Sequence, residues 1–140
     1  LGMNMVGQYA GAVRLSEIWH LIPVAITTSL FPSIIKSKQN TPELYHQRIQ
    51  QLYTLMILLA LIIIIPIFLG GGWLVSILFG EGFANTPGLL KIHIFSAIFV
   101  FVGVVSNKWL IVENLQIFLT INAFIGAVLN IILNYEEKFY

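Results

Sequence analysis

Residues 7–32 read GQYAGAVRLSEIWHLIPVAITTSLFP, an apolar stretch interrupted by one arginine, Arg14, and one glutamate, Glu17. As a helix it is long enough to cross a bilayer core of about 30 Å, which takes about 20 residues. A helix in lipid tolerates such charges only where they face protein, water or a polar substrate. The stretch therefore predicts a membrane-spanning helix with one special face, and the flanking sequence has to supply the rest of a membrane protein.

It does. Of 140 residues, 58% are hydrophobic and only 9% are charged. An ordinary soluble domain carries about 25% charged residues, so this chain has too little charge to cover a water-facing surface. The net charge of +1 is unclustered and gives no footprint for nucleic acid. Cysteine is absent, which excludes disulfides, thiolate metal sites and a thiol nucleophile. The chain begins at Leu1 with no basic region ahead of a short apolar core, so no signal peptide is expected. A start inside a longer protein is the simplest expectation.

Charges bracket four uncharged runs, at residues 18–35, 49–80, 92–107 and 114–135. The expected fold is all-α and polytopic, with spans at about residues 7–35, 49–69, 87–111 and 117–134 and no separate soluble domain. Gly7 and Gly11 form a small-xxx-small pair suited to close helix approach. Pro23 predicts a kink, and Pro32 an end soon after it, with a polar turn at residues 36–40. Thr41-Pro42-Glu43 is a helix start, with a capping hydroxyl, a proline at the first position and a carboxylate at the positive helix end. Thr86-Pro87 repeats that signal. Pro66 and Gly70-Gly71-Gly72 predict a break that frees residues 73–79 as a short interfacial helix, with Trp73 at headgroup depth. The tail after residue 135 reads EEKFY.

Lys36, Lys38 and Arg48 fall in the first connection and Lys108 in the third, whereas the second carries Glu81. The positive-inside tendency then places the first and third connections in the cytoplasm and both chain ends outside.

On an ideal helix Arg14, Glu17, Leu21, Ala25, Thr28 and Pro32 fall within an arc of roughly 80°. Arg14, Glu17 and Thr28 are thus the candidate substrate-facing residues, with Arg14 as an anion ligand and Glu17 as its partner or a proton site. The other reading makes Arg14 and Glu17 an interfacial pair of little consequence. In the last span Asn122, Gly126, Asn130 and Asn134 recur every four positions. Asn122 and Asn130 either line a cavity or hydrogen-bond a neighbouring helix. His46 and His93 have no partners at metal-ligand spacing, so neither a metal nor another cofactor is expected. No nucleophile–base pair or phosphate-binding glycine loop is visible, and an enzyme is not expected.

The run VGQYAGAVRLSEIWHLIPVAITTSLFPSI, the later ILFGEGF and the closing GAVLNIILN occur in an informative order. Together they resemble the C-terminal half of polysaccharide repeat-unit flippases (O-antigen, Wzx-type) of the multidrug/oligosaccharidyl-lipid/polysaccharide exporter superfamily. The resemblance implies part of a larger helical bundle around a central cavity, in the bacterial inner membrane. It implies a lipid-linked oligosaccharide carried on undecaprenyl pyrophosphate, moved by alternating access, with Arg14 at the position that meets the pyrophosphate. The remainder of the same transporter would then be a partner, along with the lipid bilayer. The alternatives are a cation-coupled drug or metabolite antiporter of that superfamily, a membrane-embedded sugar polymerase or ligase, and a non-catalytic assembly subunit.

Overall fold

A computed structural model describes residues 3–136, so the 137–140 tail lies outside the described residues. The chain divides into two units, residues 1–105 and 106–140.

In the first unit, α1 (Met3–Glu17) passes through a 3-10 turn (Ile18–His20) into α2 (Leu21–Asn40). Pro23 explains the turn: without an N–H it leaves the Trp19 carbonyl with no donor four residues on, and its ring crowds that carbonyl. Where the sequence predicts a kink, the structure has this 3-10 turn. Pro32 sits inside α2 without ending it, and residues 36–40, expected as a polar turn, are helical through Asn40. Thr41 is extended, at φ −150° and ψ 98°, and it separates α2 from α3 (Pro42–Phe79). It occupies the N-cap position as expected, but its hydroxyl makes no capping bond.

α3 is one helix of 38 residues, about 57 Å long at 1.5 Å per residue. The separate interfacial helix expected at residues 73–79 is instead the last two turns of α3. Two causes keep α3 whole. In an apolar medium a broken helix strands backbone groups that no water can satisfy, so proline and glycine are tolerated inside spans. Gly71 is also buried, and a Cβ there would lie 3.3 Å from Leu90 Cδ2, so the glycine admits a neighbouring helix. The true stop is Gly80, at φ 73°, a conformation that glycine adopts without steric penalty.

A 3-10 turn (Glu81–Phe83) leads to α4 (Thr86–His93) and α5 (Ser96–Val112). The third span was expected as one helix. A turn at residues 94–95 divides it, where Ala97 N–H bonds the Ile94 carbonyl at 3.0 Å, a three-residue step. The buried positions run on through this turn as Leu90, Ile94, Ala97 and Phe101. Thr86 does not cap. Asn85 holds the N-cap position, and the Thr86 hydroxyl is spent on α1.

Three buried stripes build the core of this unit. On α3 the stripe is Tyr45, Ile49, Leu52, Met56, Ala60, Ile64, Ile67, Gly71 and Val75, in steps of three or four as one helix face requires. Contacts set the directions. Arg48 reaches Ser33 and the Lys38 ammonium lies over the Tyr45 ring, so α2 and α3 form an antiparallel hairpin. Phe68 meets Phe95 while Gly71, further along α3, lies against Leu90, so α3 and α4 are antiparallel as well. α1 and α4 run in the same direction, because the polar links between them join residues 77 or 78 apart at both ends of the contact.

In the second unit α5 closes on Asn114, at φ 58°, a left-handed conformation that asparagine tolerates. Asn114 N–H bonds the Ile111 carbonyl at 3.1 Å and Leu115 N–H bonds the Leu110 carbonyl at 2.7 Å, the paired bonds of a Schellman motif. α6 (Gln116–Glu136) follows, and none of its described side chains is buried. The four segments at 5–40, 42–79, 86–112 and 116–135 are each long and apolar enough to cross a membrane.

Candidate functional site

The first span has two unlike faces. The inward face carries Gln8, Ala12 and Ser16 on α1, then Pro23, Thr27, Phe31, Ile34 and Ser37 on α2, all buried. The outward face carries Arg14, Glu17, Leu21, Ala25, Thr28 and Pro32, all exposed. All six residues of the predicted arc are thus exposed, on both sides of the turn at residues 18–20. No helix of the first unit covers them. Arg14 and Glu17 make no hydrogen bond or ion pair among the described residues, so neither guanidinium nor carboxylate is committed to the fold.

The inward face is fastened by hydrogen bonds that the sequence did not announce. The Gln8 side-chain oxygen accepts from Asn85 N–H at 2.8 Å, and the Gln8 carbonyl accepts from the Thr86 hydroxyl at 3.1 Å. Two turns further on, Ser16 Oγ lies 2.6 Å from His93 Nδ1 and donates to the Val13 carbonyl at 2.8 Å. Ser16 is buried in the helix interface, its hydroxyl placed between the Val13 carbonyl and the imidazole. Tyr9 packs edge-on against the same imidazole, 6.3 Å between centroids. Of the Gly7–Gly11 pair only Gly11 is used: a Cβ there would lie 3.5 Å from the Phe83 ring, whereas one on Gly7 meets nothing within 4 Å.

Three buried polar atoms on the first span have no hydrogen-bond partner among the described residues: Trp19 Nε1, His20 Nε2 and Thr27 Oγ1. Sequence reading picked Thr28 and passed over its neighbour. Thr28 is exposed on the Arg14 side, and Thr27 is the fully buried one. A shift of about 100° per residue separates the two faces, and apolar periodicity alone does not distinguish them here.

On α6, Asn122 and Asn130 are both exposed. Asn134 Nδ2 donates to the Asn130 carbonyl at 2.8 Å and to Asn130 Oδ1 at 2.9 Å, so Asn130 is engaged within its own helix. Among the described residues no three His, Asp or Glu side chains gather as a metal site would require.

The fold and the charged strip define an all-α membrane protein with four helical segments fit to span a bilayer. Comparison with protein-family models, with curated proteins and with solved structures finds no match to this chain.

Proposed function

We propose that the chain forms part of the cavity wall of a flippase that carries undecaprenyl-pyrophosphate-linked oligosaccharide across the bacterial inner membrane by alternating access. The observation that carries this reading is the outward strip of Arg14, Glu17 and Thr28. It lies on an apolar span, exposed and unused by the packing of its own unit. An uncommitted guanidinium at such a position calls for an anion, because charge in lipid is retained where it binds or conducts something. A guanidinium matches a pyrophosphate by bidentate hydrogen bonding, and Glu17 one turn away keeps the strip from being permanently cationic. The resemblance of VRLSEIWHLIP and its neighbours to repeat-unit flippases points to the same ligand. In this orientation the α2–α3 end faces the cytoplasm, since it carries Lys36, Lys38 and Arg48.

The test is surface polysaccharide in a bacterium whose only repeat-unit flippase contains these residues. Arg14→Ala abolishes the polymer and Arg14→Lys retains part of it. Normal polymer in the alanine variant contradicts the proposal. Efflux of a cationic dye that collapses with the proton gradient assigns the chain to the antiporter branch instead.

A further inference from the structure

The half of the α2–α3 hairpin next to its turn at Thr41 carries two adjoining clefts that the flippase reading does not use. One is lined by Ser33, Lys36, Ser37, Asn40, Leu44 and Arg48, with a volume of about 180 Å³. The other, about 230 Å³, is lined by Leu30, Ile34, Leu52 and Leu55, with Ser33, Arg48 and Gln51 at its polar end. They share Ser33 and Arg48. Together they form a groove whose two parts adjoin at Ser33 and Arg48, basic and polar in one part and largely apolar in the other.

The basic end has a fixed donor. Arg48 Nη1 donates to the Ser33 carbonyl and to Ser33 Oγ, both at 3.2 Å. This holds the guanidinium across the hairpin and leaves its remaining N–H groups directed elsewhere. Lys36, one turn beyond Ser33 on the rim of the first cleft, is exposed. Lys38 is occupied over the Tyr45 ring at 5.4 Å and does not line either cleft. The nearest acid in sequence, Glu43, is exposed on the first turn of α3 and lines neither.

Depth fits the same picture. Lys36 and Arg48 are the first charges met on leaving the uncharged runs 18–35 and 49–80. In a bilayer these positions mark the boundary between hydrocarbon and headgroups, where basic pockets between spans hold anionic lipid. We infer that this groove binds one anionic phospholipid of the surrounding leaflet, its phosphate between Lys36 and Arg48 and the start of one acyl chain along Leu30, Ile34, Leu52 and Leu55. This site is separate from the Arg14 strip, and the inference does not rest on the proposed transport activity.

The experiment is native mass spectrometry of the purified whole protein with phosphatidylglycerol and with phosphatidylcholine of the same acyl chains. The protein retains phosphatidylglycerol in preference. Lys36→Gln, at an exposed residue that bonds nothing in the fold among the described residues, weakens that retention about fivefold, the effect of one basic group at a membrane surface. Arg48→Gln weakens it further, and Leu55→Trp, which fills the apolar end and spares the charges, lowers retention of the lipid as well. Equal retention of the two lipids, or unchanged phosphatidylglycerol binding in Lys36→Gln, overturns the inference. So does inorganic phosphate that displaces the lipid at equal concentration, because the apolar end would then contribute nothing.

Discussion

The two sides of the first span are built from similar residue types and do opposite work. Inward, small and polar side chains are consumed: Gln8 and Ser16 each bond α4, and Ala12 and Gly11 let it approach. Outward, Arg14, Glu17 and Thr28 are exposed, and the two charged groups bond nothing among the described residues. In lipid, association between helices gains little from burying leucine, because the tails are as apolar as the side chain; close approach and interhelical hydrogen bonds supply it instead. The fold therefore spends its small and polar residues on one face. Charges left over on the other face are without structural employment among the described residues, and that difference is why Arg14 and Glu17 are the residues proposed to meet a ligand.

Substitutions that break this asymmetry are expected to rank clearly. Phe31→Ala removes a buried ring and costs about 3–5 kcal/mol, the range for large-to-small changes in packed interiors. Leu21→Ala, on the outward face at 72% exposure, stays within about 0.5 kcal/mol. Thermal-shift measurements in detergent compare the pair, and equal losses would show that the outward face is packed too. Ser16→Ala leaves His93 Nδ1 without its partner at 2.6 Å. The cost is about 1 kcal/mol, since interhelical hydrogen bonds in membranes are modest. Thr27→Val sharpens the comparison from the other side. Its hydroxyl is fully buried with no partner among the described residues, so an isosteric methyl removes an unsatisfied group. Stability then rises, by up to about 1 kcal/mol. A drop in melting temperature would mean that Thr27 has a bonding partner in the membrane.

Much of this was readable from the chain, for physical reasons. Uncharged runs located the four spans because lipid excludes charge so strongly, and Pro23 announced its turn because the missing N–H acts locally. Helical geometry predicts one side for Arg14, Glu17 and Thr28, and each of the three is exposed. What sequence misread depends on distant neighbours. Pro66 and Gly70-Gly71-Gly72 read as a break, yet Leu90 packs at Gly71 and α3 runs on. Residues 36–40 read as a turn, yet they remain helical while Lys38 is drawn onto Tyr45 and Arg48 onto Ser33. The turn at residues 94–95 carries neither proline nor glycine, so no local signal pointed to it. The Ser16–His93 contact joins residues 77 apart, and nothing in either neighbourhood announces it.

The central claim is that Arg14 serves a ligand and not the fold. Its most direct test measures both properties of one variant, Arg14→Ala in the whole transporter: melting temperature in detergent, and flipping of a pyrophosphate-linked lipid oligosaccharide in proteoliposomes. The expected result is a melting temperature unchanged within error, since substitutions at exposed sites away from packing stay within about 0.5 kcal/mol, together with loss of flipping. Full flipping in the variant, or a loss of flipping matched by a large fall in melting temperature, would contradict it.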